Sequence, residues 1–297
     1  MVGRESLGTV LTPGPEHKRY RGRLAPSPTG YLHLGHAVTF WKAQERARQA
    51  GGVLVLRNED LDRSRSKQQF VAAMLEDLRW FGLHWQEGPD CGGSFGPYSQ
   101  SERLPFYQQA FEMLQAKGFV YPCTCSRKDV LRSLSAPHAG EEEPIYPGTC
   151  RDKSLPGVQP CNWRFRVPDG TSIAFRDGHY GHQCFTAGKD LGDFIVWRAD
   201  GWPSYQLAVT VDDAAMHITE VVRGADLLLS TARQLLLYDA LGAPPPAFYH
   251  CPLLVDSEGK RLAKRHDSLS LRQLRMKNFN PAELINNPNA TLARYCI

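Results

Sequence analysis

The chain of 297 residues lacks any long apolar run, and it has no apolar core near its start. A membrane-spanning helix needs roughly 18 or more consecutive apolar residues, so we expect no membrane partner. Residues 1–18 carry Gly, Pro and charged residues where an export signal would carry an apolar stretch. We therefore expect a cytoplasmic protein that begins with a flexible leader over residues 1–18.

Excess charge and regularly spaced cysteines are also scarce. The 35 basic and 31 acidic residues leave a formal charge of +4, an excess that permits an RNA partner without requiring one. The eight cysteines are spaced unevenly, which favours a reducing compartment and a metal site over a disulfide framework. A hydrophobic content of 42% excludes a wholly disordered chain. The length leaves room for about two domains.

Apolar residues alternate between strand-like and helix-like spacing over most of the chain. The spacing predicts strands at 20–24, 53–57, 194–198, 217–223 and 248–254, and helices at 34–50, 67–81, 101–117, 206–215 and 231–241. This alternation is typical of a parallel α/β sheet. Residues 119–188 differ because they are rich in Cys, Pro and Gly, and we interpret them as an insertion. Within them, Asp169-Gly170 predicts a hairpin between strands 163–167 and 172–176.

The segment RLAPSPTGYLHLGH, residues 23–36, predicts a strand, a loop and the first turn of a helix. Pro26 and Pro28 prevent regular structure in the loop. A helix start presents free backbone N–H groups and the positive end of the helix dipole, which favour phosphate groups. His33 and His36 lie one turn apart there and can contact the phosphates of a nucleotide. Taken alone, the two histidines could equally be a metal pair or ordinary helix-start residues.

Five further segments follow in order along the chain. They are RNEDLD (57–62), PSYQLA (203–208), VDD (211–213), VRGADL (222–227) and KRLAKR (260–265). Together with residues 23–36, they resemble the signature segments of class I aminoacyl-tRNA synthetases, in the form that glutamyl enzymes use. The resemblance covers most of residues 20–270.

The resemblance implies an α/β fold with a Rossmann-like parallel sheet. Its catalytic domain would comprise residues 19–100 and 191–258, interrupted at 101–190 by a zinc-binding α+β insertion. Residues 259–297 would form a KMSKS-like loop and a short C-terminal segment.

The resemblance also implies an activity. Family members activate glutamate with ATP and Mg²⁺ to glutamyl-adenylate. This chain resembles a group of shorter enzymes within the family. The resemblance lies in the segments RGADL and RLAKR and in the end of the chain soon after Lys264. That group esterifies glutamate to the queuosine base in the anticodon loop of tRNA(Asp). We therefore expect L-glutamate, ATP and queuosine-containing tRNA(Asp) as partners, and a monomer.

Five side chains are candidates for binding glutamate. Guanidinium groups bind carboxylates in a fixed fork geometry, so Arg23 and Arg223 are candidates for the substrate carboxylates. The resemblance places both in the amino-acid pocket, with Arg223 on the substrate side chain. It further implies that Glu59 holds the ammonium group and that Tyr205 and Ser27 contribute hydroxyl groups. From the residues alone, Arg23, Glu59 and Arg223 could each belong to a structural ion pair.

The resemblance assigns ATP binding to His33, Gly35, His36 and Lys264, and catalysis to His33, His36 and Lys264. Lys264 would neutralise the ATP phosphates as negative charge develops. Ala263 stands where the family has Ser, so one hydroxyl of the motif is absent. As an isolated feature, the basic run at 260–265 could be a solvated charged segment.

A cysteine cluster lies within the predicted insertion. Cys123, Cys125 and Cys150 fall one ligand short of a structural zinc site, and His138 is the nearest histidine. The resemblance implies that Tyr146 is the fourth ligand and that one Zn²⁺ binds per chain. From the spacing alone, three cysteines that bind no metal are as good an interpretation as a zinc site.

Three other functions compete with this interpretation. The first is a glutamyl-tRNA synthetase that lacks its anticodon-binding region and acts on tRNA(Glu). The second is a nucleotidyltransferase. Such enzymes share the HxGH motif, but this function does not account for the presence of Arg23, Tyr205 and Arg223 together. The third is a catalytically inactive tRNA-binding paralogue, an alternative that depends on Ala263.

Overall fold

The computed structural model describes residues 19–126, 145–153, 161–254, 270–286 and 288. Its strands are β1 (Arg21–Leu24), β2 (Val53–Leu56), β3 (Val120–Cys123), β4 (Asn162–Phe165), β5 (Ser172–Asp177), β6 (Gly181–Thr186), β7 (Phe194–Trp197), β8 (Glu220–Gly224) and β9 (Ala247–Cys251). Its α-helices are α1 (Leu34–Gln49), α2 (Gln68–Trp80), α3 (Leu104–Ala116), α4 (Tyr205–Ala215), α5 (Leu228–Leu241), α6 (Leu271–Met276) and α7 (Pro281–Asn286). The leader at 1–18 and the KMSKS-like segment at 260–265 lie outside the described residues.

Parallel strands form the centre of the fold. β1 pairs in parallel with β2, and β8 pairs in parallel with β9. The backbone N–H of Thr219 donates to the carbonyl of Arg21 at 2.9 Å, which joins the two pairs. A parallel strand that is buried on both faces typically consists of consecutive apolar residues. β2, with the sequence VLVL, has this composition. The predicted parallel α/β fold is confirmed.

A second sheet contains only antiparallel pairs, in the order β3-β4-β7. The strand at Phe194–Trp197, predicted where the α/β alternation resumes, therefore pairs with β4. Phe165 of β4 stacks between Phe119 and Phe194, with ring centroids 5.9 and 5.4 Å away. The division of the chain near residues 100 and 190 stays a prediction.

The predicted hairpin across Asp169-Gly170 is wrong. Gly170 does adopt a positive φ of 67°, but the turn connects strands of two different sheets. β5 instead forms an antiparallel hairpin with β6, and Asp177 at its end pairs in parallel with Phe248 of β9. A local turn signal specifies the bend, whereas the packing of distant side chains decides the pairing.

The short helices α6 and α7 pack against the first half of the chain. Leu271, Leu274 and Leu284 are fully buried in the same apolar cluster as Leu34 and Leu56. Ser270 caps α6 by accepting a hydrogen bond from the N–H of Gln273 at 3.3 Å. No helix among the described residues is long and apolar enough to cross a membrane.

Candidate active site

A cavity of about 440 Å³ opens at the carboxyl ends of β1, β8 and β9. Ligands bind at this edge in open parallel sheets. Every described residue that the sequence nominated for glutamate or ATP lines the cavity: Arg23, Ser27, His33, Gly35, His36, Glu59, Tyr205 and Arg223. Lys264 lies outside the described residues. The nearest described residues before and after it also belong to this region, because Leu254 lines the cavity and Ser270 pairs with His33.

The loop after β1 is hydrogen-bonded to the residues that follow β2. The N–H of Arg57 donates to the carbonyl of Leu24 at 2.8 Å, and that of Glu59 donates to the carbonyl of Pro26 at 3.0 Å. The loop therefore follows the end of the neighbouring strand, and Glu59 is carried to the cavity. Its proline residues leave few backbone donors to satisfy in this irregular segment.

The two histidines lie at the start of α1. His33 is the N-cap residue, and the ring centroids of His33 and His36 are 3.8 Å apart. Gly35 lies between them, and a Cβ at this position would come within 3.1 Å of the His33 ring. The first turn of α1 contains no acidic residue. The positive end of the helix dipole is therefore available to an anion in the cavity.

Ion pairs beneath the cavity surround Arg57, which is fully buried. Its guanidinium lies 2.6 Å from Asp213, 3.0 Å from Glu59 and 3.6 Å from Asp212. Burial opposes the charge on Arg57, but these carboxylates outweigh burial and hold its pKa well above the ordinary value. Arg23 completes the group, with its Nε 3.5 Å from Asp213.

Only one carboxylate oxygen of Glu59 is hydrogen-bonded within this network. Both hydrogen bonds from Arg57 reach the same oxygen, Oε1, at 3.0 and 3.3 Å. No donor in the described part of the chain bonds Oε2. Burial raises the pKa of Glu59, while the charges of Arg57 and Arg23 lower it in part. A cation in the cavity, such as an ammonium group, would stabilise the ionised form.

The described hydrogen-bond partners of Arg223 are neutral side chains. Its Nε donates to Nε2 of His250 at 3.2 Å, and its Nη2 donates to the hydroxyl of Thr231 at 2.7 Å. Its Nη1 is buried without a hydrogen-bond partner among the described residues. Burial lowers the pKa of Arg223 and the nearby Arg23 charge lowers it further, whereas Tyr205 and Asp213 raise it in part. The cavity thus contains a guanidinium with a spare donor and no carboxylate partner in the described structure.

The residues that hold these side chains in place were not identified from the sequence. Asp212 accepts hydrogen bonds from Arg103 at 2.6 Å, Gln100 at 2.8 Å and Tyr107 at 2.9 Å. Its place in the VDD segment was the available signal. His250 carries no comparable signal, because a single histidine in an apolar strand is more often a core residue.

The cysteine cluster forms a second candidate site. The sulfur atoms of Cys123, Cys125 and Cys150 lie within 4.8 Å of one another. The Tyr146 hydroxyl lies 3.4 Å from Cys123 Sγ and 3.5 Å from Cys125 Sγ. Three sulfur atoms and one oxygen can surround a tetrahedral zinc ion, so the donor set fits the metal. Arg164 donates to Cys123 Sγ at 3.2 Å, and its charge would offset the excess of three thiolates over Zn²⁺.

Comparisons with known proteins agree with this geometry. The profile of the family described as "tRNA synthetases class I (E and Q), catalytic domain" matches residues 19–289. The chain is 51% identical to a glutamyl-Q tRNA(Asp) synthetase of Nitratidesulfovibrio vulgaris, over 86% of this chain and 81% of that protein. It is 50% identical to a glutamyl-Q tRNA(Asp) synthetase of Symbiobacterium thermophilum, over 89% of this chain and 84% of that protein.

Longer relatives are also similar. A glutamate–tRNA ligase 2 of Acidithiobacillus ferrooxidans is 44% identical over 90% of this chain and 56% of its own length. Among solved structures, a glutamate tRNA ligase from Elizabethkingia meningosepticum, in complex with its amino acid, superimposes with a TM-score of 0.74. That protein is 32% identical over 84% of this chain and 52% of its own length. The resemblance inferred from the six segments is confirmed, and the chain belongs to the class I tRNA synthetases for glutamate and glutamine, a family of aminoacyl-tRNA ligases.

Proposed function

We propose that this enzyme activates L-glutamate with ATP and transfers the glutamyl group to the queuosine base of tRNA(Asp). The observation that carries the proposal is Arg223, a buried guanidinium with a spare donor in the same cavity as His33 and His36. A carboxylate side chain supplies the charge that Arg223 lacks among its described partners. The similarity to two glutamyl-Q tRNA(Asp) synthetases supports the acceptor.

The charges in the cavity match those of glutamate. Arg223 would bind the side-chain carboxylate and Arg23 the α-carboxylate, each through N–H donors. Oε2 of Glu59 would accept a hydrogen bond from the ammonium group. Tyr205 and Ser27, which also line the cavity, would contribute hydroxyl groups. These contacts would fix the amino acid with its α-carboxylate towards the start of α1.

The reaction then requires positioning and charge stabilisation, with no protein nucleophile. The α-carboxylate oxygen attacks the α-phosphorus of ATP, the bond to the β-phosphate oxygen breaks, and glutamyl-adenylate and pyrophosphate form. His33, His36 and the N-terminal backbone of α1 would stabilise the phosphate oxygens as their charge rises. Gly35 would allow close approach of the nucleotide, and Lys264 would add a positive charge. Mg²⁺ would accompany ATP, held mainly by phosphate oxygens and water.

The second step transfers the amino acid to RNA. A hydroxyl group on the queuosine ring attacks the carbonyl carbon of the adenylate, AMP leaves, and an ester forms. We expect the enzyme to act as a monomer in the cytoplasm, where its tRNA and ATP are found.

We also propose one structural Zn²⁺ per chain, bound by Cys123, Cys125, Tyr146 and Cys150. The proximity of the three sulfur atoms and the phenol oxygen supports this site. The metal would join β3 to the segment around residues 145–153, which has little secondary structure of its own.

The deciding experiment is ATP–pyrophosphate exchange with glutamate, aspartate or glutamine, first without RNA. Exchange with glutamate alone supports the proposed activation, because ordinary glutamyl-tRNA synthetases generally need tRNA for this step. Transfer of labelled glutamate is then measured to tRNA(Asp) with queuosine, tRNA(Asp) with guanosine at the same position, and tRNA(Glu). Labelling of queuosine-containing tRNA(Asp) alone is expected. Labelling of tRNA(Glu) would instead show a glutamyl-tRNA synthetase, and binding without exchange would show an inactive paralogue.

A further inference from the structure

The partner of Arg223 at its Nε is an imidazole whose protonation is determined by its neighbours. Arginine has donors and no acceptor, so the bond from Arg223 Nε at 3.2 Å requires a lone pair on His250 Nε2. His250 is completely buried. Burial and the Arg223 charge lower its pKa, and together they outweigh the hydrogen bond and charge of Asp177, which raise it. The imidazole beside Arg223 is therefore neutral, with its proton on Nδ1.

Asp177 determines this tautomer. Its Oδ2 accepts from His250 Nδ1 at 2.7 Å and from the His250 backbone N–H at 3.1 Å. Its Oδ1 accepts from the backbone N–H groups of His179 at 2.9 Å and Tyr180 at 2.8 Å. All four partners are donors, so the carboxylate is ionised and holds the proton on Nδ1. This arrangement depends on the pairing of β5 with β9, which brings Asp177 beside His250.

Thr231 supports the other side of the guanidinium. Its hydroxyl accepts from Arg223 Nη2 at 2.7 Å and lies 3.3 Å from the carbonyl of Leu227. Arg223 is thus held at two nitrogens by uncharged acceptors, and the third nitrogen, Nη1, has no partner in the described structure. A carboxylate at the position of His250 would hold the guanidinium equally well, but it would cancel its charge.

We propose that Asp177 and His250 are positioning residues that orient Arg223 through a neutral contact and thereby set the preference of the cavity for a carboxylate over a carboxamide side chain. This inference depends on the proposed function, because it assigns the glutamate side chain to Arg223. A ligand carboxylate would accept a hydrogen bond from the oriented Nη1 and would also be attracted by the charge of the guanidinium. A carboxamide oxygen can accept the same hydrogen bond, but it carries no charge and therefore lacks the ion-pair attraction to the guanidinium.

Two substitutions at one position separate the contact with Arg223 from the contact with Asp177. The amide of His250→Gln reaches the position of Nε2 and retains an acceptor for Arg223. The amide of His250→Asn reaches only the position of Nδ1, so it retains the contact with Asp177 and loses the one with Arg223. His250→Asn should raise the glutamate KM about 10- to 100-fold, as expected for one hydrogen bond to a charged group, with a smaller change in kcat. His250→Gln should raise it by about threefold or less.

Asp177→Asn tests the tautomer independently. Since both oxygens of Asp177 accept from donors, an amide group must place its NH₂ against one of the two donor pairs. If it faces His250, the ring proton moves to Nε2 and opposes the Arg223 N–H. We expect a rise in glutamate KM similar to that of His250→Asn. His182→Gln on β6, an exposed histidine, is the matched control and should leave KM unchanged.

Exchange kinetics with glutamate and with glutamine, together with thermal unfolding of each variant, decide between the outcomes. The inference is supported if His250→Asn and Asp177→Asn lower the preference for glutamate about tenfold while His250→Gln retains it. It is overturned if all three variants retain wild-type KM, or if KM follows the loss of thermal stability regardless of the acceptor. Absence of glutamate-dependent exchange in the wild-type enzyme would instead reject the proposed function itself.

Discussion

Replacing Arg223 by Met should strongly weaken glutamate activation while leaving the stability of the protein almost unchanged. A bidentate contact between a guanidinium and a carboxylate comprises two charge-assisted hydrogen bonds, each worth about 1.5–3 kcal/mol. Their loss predicts at least a ~10²-fold fall in kcat/KM for glutamate activation. An unpaired buried cation is itself costly, so the desolvation penalty that its removal relieves offsets the loss of its hydrogen bonds to His250 and Thr231.

The groups that Arg223 leaves behind can satisfy each other. The Thr231 hydroxyl already lies 3.1 Å from His250 Nε2 and can donate to it once Arg223 is absent. We therefore expect the free energy of unfolding of Arg223→Met to remain within about 1 kcal/mol of the wild type.

Arg57→Met is the matched comparison, since Arg57 is an equally buried arginine with the opposite role. Its removal leaves the carboxylates of Asp213 and Glu59 without their closest cation. Breaking such a buried pair costs about 3–5 kcal/mol, which corresponds to a fall in Tm of roughly 6–20 °C. Denaturant unfolding and ATP–pyrophosphate exchange on the two variants measure both effects. The reasoning is refuted if Arg223→Met loses as much stability as Arg57→Met, or if it activates glutamate with wild-type KM.

Three further predictions follow from single contacts. Purified wild-type protein should contain about one zinc per chain by elemental analysis, and Cys150→Ser should lose it while Cys184→Ser, an exposed thiol, retains it. Gly35→Ala should lower the rate of exchange by roughly tenfold, because the new Cβ lies 3.1 Å from the His33 ring and displaces it, while Ala stabilises α1 and leaves Tm equal or higher. Burial raises the pKa of Asp177, but hydrogen bonds from Tyr180 and His250 outweigh it and leave the pKa below its ordinary value. The carboxylate therefore stabilises the fold above about pH 4, and the Tm difference between wild type and Asp177→Asn should shrink as the pH falls through that value.

Each of these has a contrary result. Zinc retained by Cys150→Ser would exclude this thiol as a ligand. An unchanged rate in Gly35→Ala would show that the position of the His33 ring is immaterial. A Tm difference that persists or grows below pH 4 would show that the ionised carboxylate of Asp177 is not what stabilises the fold.

Much of the site was accessible from the sequence because its residues cluster in short segments at strand ends. His33, Gly35 and His36 lie within one turn of α1, whose predicted start at residue 34 agrees with the structure. Helical periodicity and proline positions are local properties, so they identify this element without knowledge of its surroundings. Glu59 and Arg223 follow apolar strands, and parallel strands bring their carboxyl ends to a common edge.

The supporting residues could not be found in this way. His250 and Asp177 are 73 positions apart, and they meet only because β5 pairs with β9. The sequence pattern assigned β5 to a hairpin with the preceding strand, since Asp169-Gly170 has the chemistry of a tight turn. Turn residues determine where the chain bends, and they carry no information about the distant strand that completes the sheet.

The sequence by itself therefore determined the fold class, the family and many of the side chains that line the cavity, because these depend on local periodicity and on short segments in a recognisable order. Only the tertiary structure decided which buried arginine is neutralised and which keeps its charge. Arg57 and Arg223 both lie at the ends of apolar strands, and each is followed within three positions by an acidic residue, Glu59 and Asp226. Their roles differ because folding surrounds Arg57 with the carboxylates of Asp213 and Glu59 but places only the neutral acceptors of His250 and Thr231 beside Arg223. The charge left over in the cavity is a property of side chains brought together across the whole chain.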